Sequence, residues 1–360
     1  MIGGSNYHML KVIERWSDDN EIDILLPRLG YSYMQAYQNM SGNVTVTDSF
    51  FEREMQEGLG KVLITCSRIF RVLLSPPPGR YDVVVAASHY VDDVLPAVYV
   101  LRKNPSCKFV AYHHLGLASA PGRLFSLRRA NNVISVELLR KYANLIFVMN
   151  PSTKGSLISH RVEESKILLT NNGVDKITST ADLKTPVFEA CFVGRLEKDK
   201  GVFDLVAIWK DVSALIPTAK LAIIGDGSEK NHLIDLIKKE QLQERITLCG
   251  YLGDERFEIM RKSKLFLLPS YLEAWPITIV EAMSCGLPVI VYDLPELRAL
   301  WGSNVSHVPK GDKVSFTKAV VGLLQNPELR SELSRRGLKQ STGYLWANIA
   351  RYEADAIGSL

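Results

Sequence analysis

Short, continuously apolar runs rich in branched side chains alternate along this chain with longer amphipathic stretches. In the first half the runs are Ile22–Leu26, Val83–Ala87, Lys108–Tyr112 and Leu145–Met149. In the second half they are Ala190–Val193, Leu221–Ile224, Ile246–Leu248, Leu265–Leu268 and Pro288–Val291. Continuous rather than alternating apolarity suits strands covered on both faces. Between them lie helical patterns such as Ser228–Glu240, with Leu233, Leu236 and Ile237 on one face. Alternating strands and helices specify an α/β protein with parallel sheets.

A chain of 360 residues exceeds what one core usually supports and predicts two domains. The boundary falls between Asn171 and Glu189, where the turn cluster Asn171-Asn172-Gly173-Val174-Asp175 leads into a polar stretch without periodicity. With 46% hydrophobic and 23% charged residues, disorder, collagen and coiled coil are excluded. No apolar run reaches the length of a membrane-spanning helix. The start, Met1-Ile2-Gly3-Gly4, lacks the pattern of a secretory signal. The five cysteines have no metal-ligand spacing and read as buried, reduced thiols of a cytoplasmic protein.

The net charge of +4 is too small to argue for nucleic acid, but the excess lies in the first half. Between Arg102 and Asn144 there are eight basic residues and one acid, Glu137. That stretch, with Arg123-Leu124-Phe125-Ser126-Leu127-Arg128-Arg129, is either a solvated basic face or a contact with an anionic acceptor or membrane surface.

Several strand ends carry candidate chemistry. Pro276 fits a helix start after Leu265–Leu268, leaving the N–H groups of Ile277 and Thr278 as an anion site. Glu281 then lies in an apolar helix and needs donors, from a neighbouring side chain or from ribose hydroxyls. Gly194 to Gly201 holds Arg195 and Lys200, which read either as a diphosphate clamp or as a mixed-charge surface loop. Gly225-Asp226-Gly227-Ser228 reads as a tight turn with Ser228 capping the next helix. His113-His114 ends a strand, where open α/β sheets bind ligands, although strand-end histidines can be purely structural.

Taken in order, these pieces resemble family 4 of the retaining glycosyltransferases, the glycosyl transferases group 1, with the GT-B fold. The resemblance rests on Gly194-Arg195-Leu196 with Lys200-Gly201, Gly225-Asp226-Gly227, Cys249-Gly250-Tyr251, and Leu268-Pro269-Ser270 leading into Glu273 through Glu281. The block Ala282 to Val289 and the segment Asn172-Gly173-Val174-Asp175 complete it. It implies two Rossmann-like domains facing a central cleft, 1–172 on the acceptor side and 173–338 for the sugar nucleotide, with 339–360 as a helix returning to the first. It implies that Arg195 and Lys200 bind the donor diphosphate, that Ile277 and Thr278 cradle phosphate, that Glu281 holds the ribose and that Glu273 holds the sugar. His113 would contact the sugar near the reacting carbon, and Gly3-Gly4 would form the N-domain loop near the donor phosphate. No cofactor or metal is expected beyond a UDP- or GDP-linked sugar. The acceptor would be a glycan, lipid-linked or small-molecule hydroxyl, with possible peripheral membrane contact through 102–144.

Three departures accompany the resemblance. Ala274-Trp275 replaces the glycine usual after the first glutamate, Leu294-Pro295-Glu296 replaces a Gly-rich turn, and no strand precedes Gly3, so the first N-terminal strand is expected to be missing. The alternative function is a non-catalytic nucleotide-sugar-binding subunit that scaffolds or regulates a partner enzyme.

Overall fold

The computed structural model describes residues 4–27, 44–47, 66–67, 69–70, 72, 74, 79–114, 125–175 and 186–360. The chain divides into two units, Gly173–Leu345 and Ile2–Asn172 with Trp346–Leu360.

In the N-terminal unit, β1 (Ile24–Pro27) and β2 (Val44–Thr47) form a parallel pair. A second parallel sheet has the order β3 (Val83–Ala86), β4 (Lys108–His113), β5 (Leu145–Val148), β6 (Ile167–Leu169). All four side chains of β5 are buried, as expected of a strand covered on both faces. Helix α1 (Gly4–Trp16) precedes the strands, and α2 (Val91–Lys103), α3 (Phe125–Tyr142) and α4 (Pro151–Ser159) connect them. Asn150 caps α4 by accepting from Thr153 N–H at 2.8 Å, and Pro151 takes the first helical position. Val94, Phe109, Leu139, Ile146 and Leu157 lie in one buried core.

The C-terminal unit holds β7 (Phe188–Val193), β8 (Leu221–Ile224), β9 (Ile246–Gly250), β10 (Ser263–Leu268), β11 (Val289–Tyr292) and β12 (Ser306–Val308). The intervening helices are α5 (Val202–Leu215), α6 (Lys230–Lys239), α7 (Arg256–Arg261), α8 (Ile277–Ser284) and α9 (Pro295–Trp301), followed by α10 (Lys313–Gln325) and α11 (Pro327–Ser341). All strands are parallel, in the order β12-β11-β10-β7-β8-β9. The chain runs from β7 outward to β9, then returns to the other side of β7 with β10. Connections therefore leave β7 and β10 in opposite directions, and it is beyond the C-terminal ends of strands at such a reversal that open α/β sheets bind ligands.

The last helix, α12 (Trp346–Gly358), belongs to the N-terminal unit and packs on α1 through Val12, Trp346, Ile349 and Ala350. No described helix is long and apolar enough to cross a membrane. Of the cysteines expected to be buried, Cys66 is exposed and Cys249 partly so, while Cys107, Cys191 and Cys285 are buried. Ser228 does not cap α6: Glu229 takes that position, and the Ser228 hydroxyl donates to Glu197 at 2.9 Å.

Candidate nucleotide site at the strand-order reversal

Backbone contacts bind together the loops after β7, β8 and β10. Leu196 N–H donates to Asp226 O at 3.0 Å, Glu229 N–H to Leu196 O at 3.0 Å, and Tyr271 N–H to Asp199 O at 2.7 Å. Two glycines permit this proximity. Gly201 has φ +66, and a Cβ there would stand 1.9 Å from the Pro269 carbonyl oxygen. A Cβ on Gly227 would stand 2.4 Å from the Leu196 carbonyl oxygen.

The charged residues anticipated in sequence fall on these loops. Lys200 ends a 3₁₀ turn after β7, and its Nζ lies 2.7 Å from Glu273 Oε1, on the loop after β10. Both side chains are largely shielded. Arg195 stays half exposed and pairs loosely with Asp199 at 3.7 Å. Beside Glu273, α8 starts at Ile277 after Pro276, and no side chain caps it. Its first peptide groups therefore present positive partial charge. Ser270 is fully buried on the same loop, and its hydroxyl has no hydrogen-bond partner among the described residues.

Glu281 is 3% exposed on α8. Arg256 of α7 grips it in a fork, Nη2 to Oε1 at 2.5 Å and Nε to Oε2 at 3.2 Å. Sequence reading missed Arg256, because 25 residues and one strand separate it from its partner. It also missed the packing of Trp275, which meets Trp301 and Tyr344 edge to face with centroids 5.2 and 5.5 Å away. This cluster anchors the loop carrying Glu273.

In the N-terminal unit, His113 ends β4 and is 1% exposed. Its ring stacks on His89, centroids 4.1 Å apart, and neither ring nitrogen has a partner among the described residues. Burial, and then the neighbouring His89 and His114, hold His113 well below the usual imidazole range. Burial lowers His89 to about 4 and, with His8 nearby, His114 to about 3. All three are neutral at pH 7. His89 follows β3 as His113 ends β4, so strand-end position was the signal that could have found it. Gly4 opens α1, whereas Gly3 and Arg123 lie outside the described residues, as do the side chains of Arg128 and Arg129.

A parallel six-stranded unit with converging charged loops at its strand-order reversal is a doubly wound α/β fold. With its companion unit it has the architecture called GT-B, parallel sheets of six and four strands in separate α/β units. Residues 176–340 match the family model of glycosyl transferases group 1. An uncharacterized glycosyltransferase of Methanocaldococcus jannaschii is 32% identical over 173 residues, 45% of this chain and 42% of that protein. The gpi3 subunit of phosphatidylinositol N-acetylglucosaminyltransferase from Schizosaccharomyces pombe is 27% identical over 231 residues, 63% of this chain and 48% of that protein. The chain spans about half the length of the curated relatives it matches. Among solved structures, HepE of Anabaena in complex with UDP and glucose superposes with a TM-score of 0.77 at 17% identity, covering 99% of this chain and 96% of that one.

Proposed function

We propose that this protein is a retaining, metal-independent glycosyltransferase of family 4 that moves a sugar from a nucleoside-diphosphate sugar to an acceptor hydroxyl. The observation that carries this reading is the shielded contact between Lys200 and Glu273 beside the uncapped start of α8. It sets cation, carboxylate and helix N-terminus around one crevice. Breaking the bond between anomeric carbon and phosphate oxygen leaves the electron pair on the diphosphate. Lys200, Arg195 and the N–H groups of Ile277 and Thr278 stabilise that charge. Glu273 accepts from sugar hydroxyls. Glu281, oriented by Arg256, accepts from the ribose. His113, buried and neutral, contacts the sugar near the reacting carbon. HepE bound to UDP and glucose supports a uridine donor for this fold.

The acceptor is a glycan, lipid-linked or small-molecule hydroxyl, and the basic 102–144 stretch brings the chain to anionic membranes. Co-sedimentation with anionic vesicles at low salt tests that contact, and a fully soluble protein would end it.

Calorimetric titration with UDP, GDP and ADP, in EDTA, tests the donor site. Micromolar binding of one of them supports it, and binding of none overturns it. Transfer from the matching nucleotide sugars in EDTA, with NMR of the product's anomeric carbon, tests metal independence and retention.

A further inference from the structure

Helix α12 delivers a fully buried carboxylate, Glu353, to the N-terminal sheet. Three donors meet it. Tyr112 Oη donates to Oε2 at 2.6 Å, Thr170 Oγ1 donates to Oε1, and His8 Nε2 lies 3.2 Å from Oε1. The other ring nitrogen of His8 lies 3.0 Å from Asn172 Oδ1. A carboxylate so deep costs several kcal/mol unless matched in this way. The match reaches beyond stability because of where Tyr112 stands.

Strand β4 is flanked by β3 and β5, but β3 stops pairing at Ala86, opposite Ala111. Tyr112 and His113 extend past it, paired with Phe147 and Val148 on one side only. The end of β4 has lost half its ladder where its orientation matters most. Side chains alternate along a strand. Tyr112 points to Glu353, and His113 points to the opposite face, against His89.

We propose that Glu353 is a positioning residue for His113: by holding the Tyr112 hydroxyl it replaces the missing β3 pairing and fixes the direction of the neighbouring imidazole. The proposal rests on the sugar-contacting role assigned to His113 above.

Tyr112→Phe deletes the hydroxyl but keeps the ring. Glu353→Gln keeps the side-chain volume and weakens the anchor. Leu157→Ala opens a cavity in the apolar core of the same unit, away from the Glu353 hydrogen bonds, and so serves as a stability control. Tyr112→Phe and Glu353→Gln should lower kcat by about ten- to a hundredfold, the cost of a misplaced reacting group, with donor KM little changed. Both should shift the His113 imidazole resonances, assigned by comparison with His113→Asn. Leu157→Ala should lower the melting temperature while leaving kcat and those resonances in place. The proposal is overturned if Tyr112→Phe and Glu353→Gln leave the His113 resonances unmoved. It is equally overturned if Leu157→Ala lowers kcat as much as they do. If the wild type transfers no sugar, the functional reading fails, and the His113 resonances alone decide the positioning role. If one variant does not fold, the other carries the comparison.

Discussion

The ammonium of Lys200 lies 2.7 Å from the carboxylate of Glu273, 73 residues later in the chain. In the proposed donor site, an arriving diphosphate would compete with Glu273 for that ammonium. With Lys200 turned to phosphate, the freed carboxylate would be available to the sugar hydroxyls. On that reading each partner would hold the other ready until the donor separates them.

Glu273→Gln and Lys200→Ala therefore separate binding from transfer. The amide releases Lys200, so UDP should bind at least as tightly as in the wild type, while transfer falls by about a hundredfold. Lys200→Ala should weaken both UDP binding and transfer. Calorimetry and steady-state rates on the two variants check this, and unimpaired transfer by Glu273→Gln would remove Glu273 from the mechanism.

Removing Arg256 leaves a shielded Glu281 charge uncompensated. Arg256→Ala should cost about 3–5 kcal/mol in urea denaturation. Combining Arg256→Met with Glu281→Leu should restore most of that stability, because two apolar side chains leave no charge to desolvate. The double variant should still bind nucleotide poorly if Glu281 holds the ribose as proposed.

Gly201→Ala forces a side chain into the left-handed region and against the Pro269 carbonyl. Strained backbone alone costs about 1–3 kcal/mol. The loops carrying Lys200 and Glu273 must also part. Stability and nucleotide affinity should fall together. A neighbouring change at exposed Lys198, to Ala, should move neither by more than about 0.5 kcal/mol.

The buried histidines make the N-terminal unit acid-sensitive. Their folded values lie below the ordinary 6.5, so below pH 6.5 the unfolded chain takes up protons that the folded unit refuses. Stability is therefore full above pH 6.5 and is lost as pH falls, down to about 4 for His89 and about 3 for His114. Each group contributes a slope of up to about 1.4 kcal/mol per pH unit. Urea midpoints between pH 7 and pH 4.5 should show the decline, and His89→Phe should flatten it.

The buried strands were legible because continuous apolar runs have few alternatives. Ala190–Val193 and Leu265–Leu268 lie within β7 and β10. Pro276 marked the start of α8 for a local reason, its missing N–H and fixed φ. Strands β6 and β12 escaped because three residues carry little signal, and β2 because Thr45 and Thr47 break its apolar run. Lys200 and Glu273 were legible as charges on loops, but their contact was not, because it depends on two loops folding over Gly201. For the same reason Glu281 could be read as needing donors, while Arg256 could not be named as one.

The return of α12 to the N-terminal unit has a consequence for synthesis. Gly173–Leu345 is one uninterrupted stretch, so it can complete its sheet as it emerges from the ribosome. The N-terminal unit cannot, because Trp346, Ile349 and Ala350 close over Val12 only after every other described element has been made. Trp16 likewise waits for its acceptor, the Ala350 carbonyl, 2.9 Å away in the finished fold. The nascent chain finishes its second unit before its first, and a ribosome stalled short of Trp346 displays an open apolar seam to whatever chaperone is near.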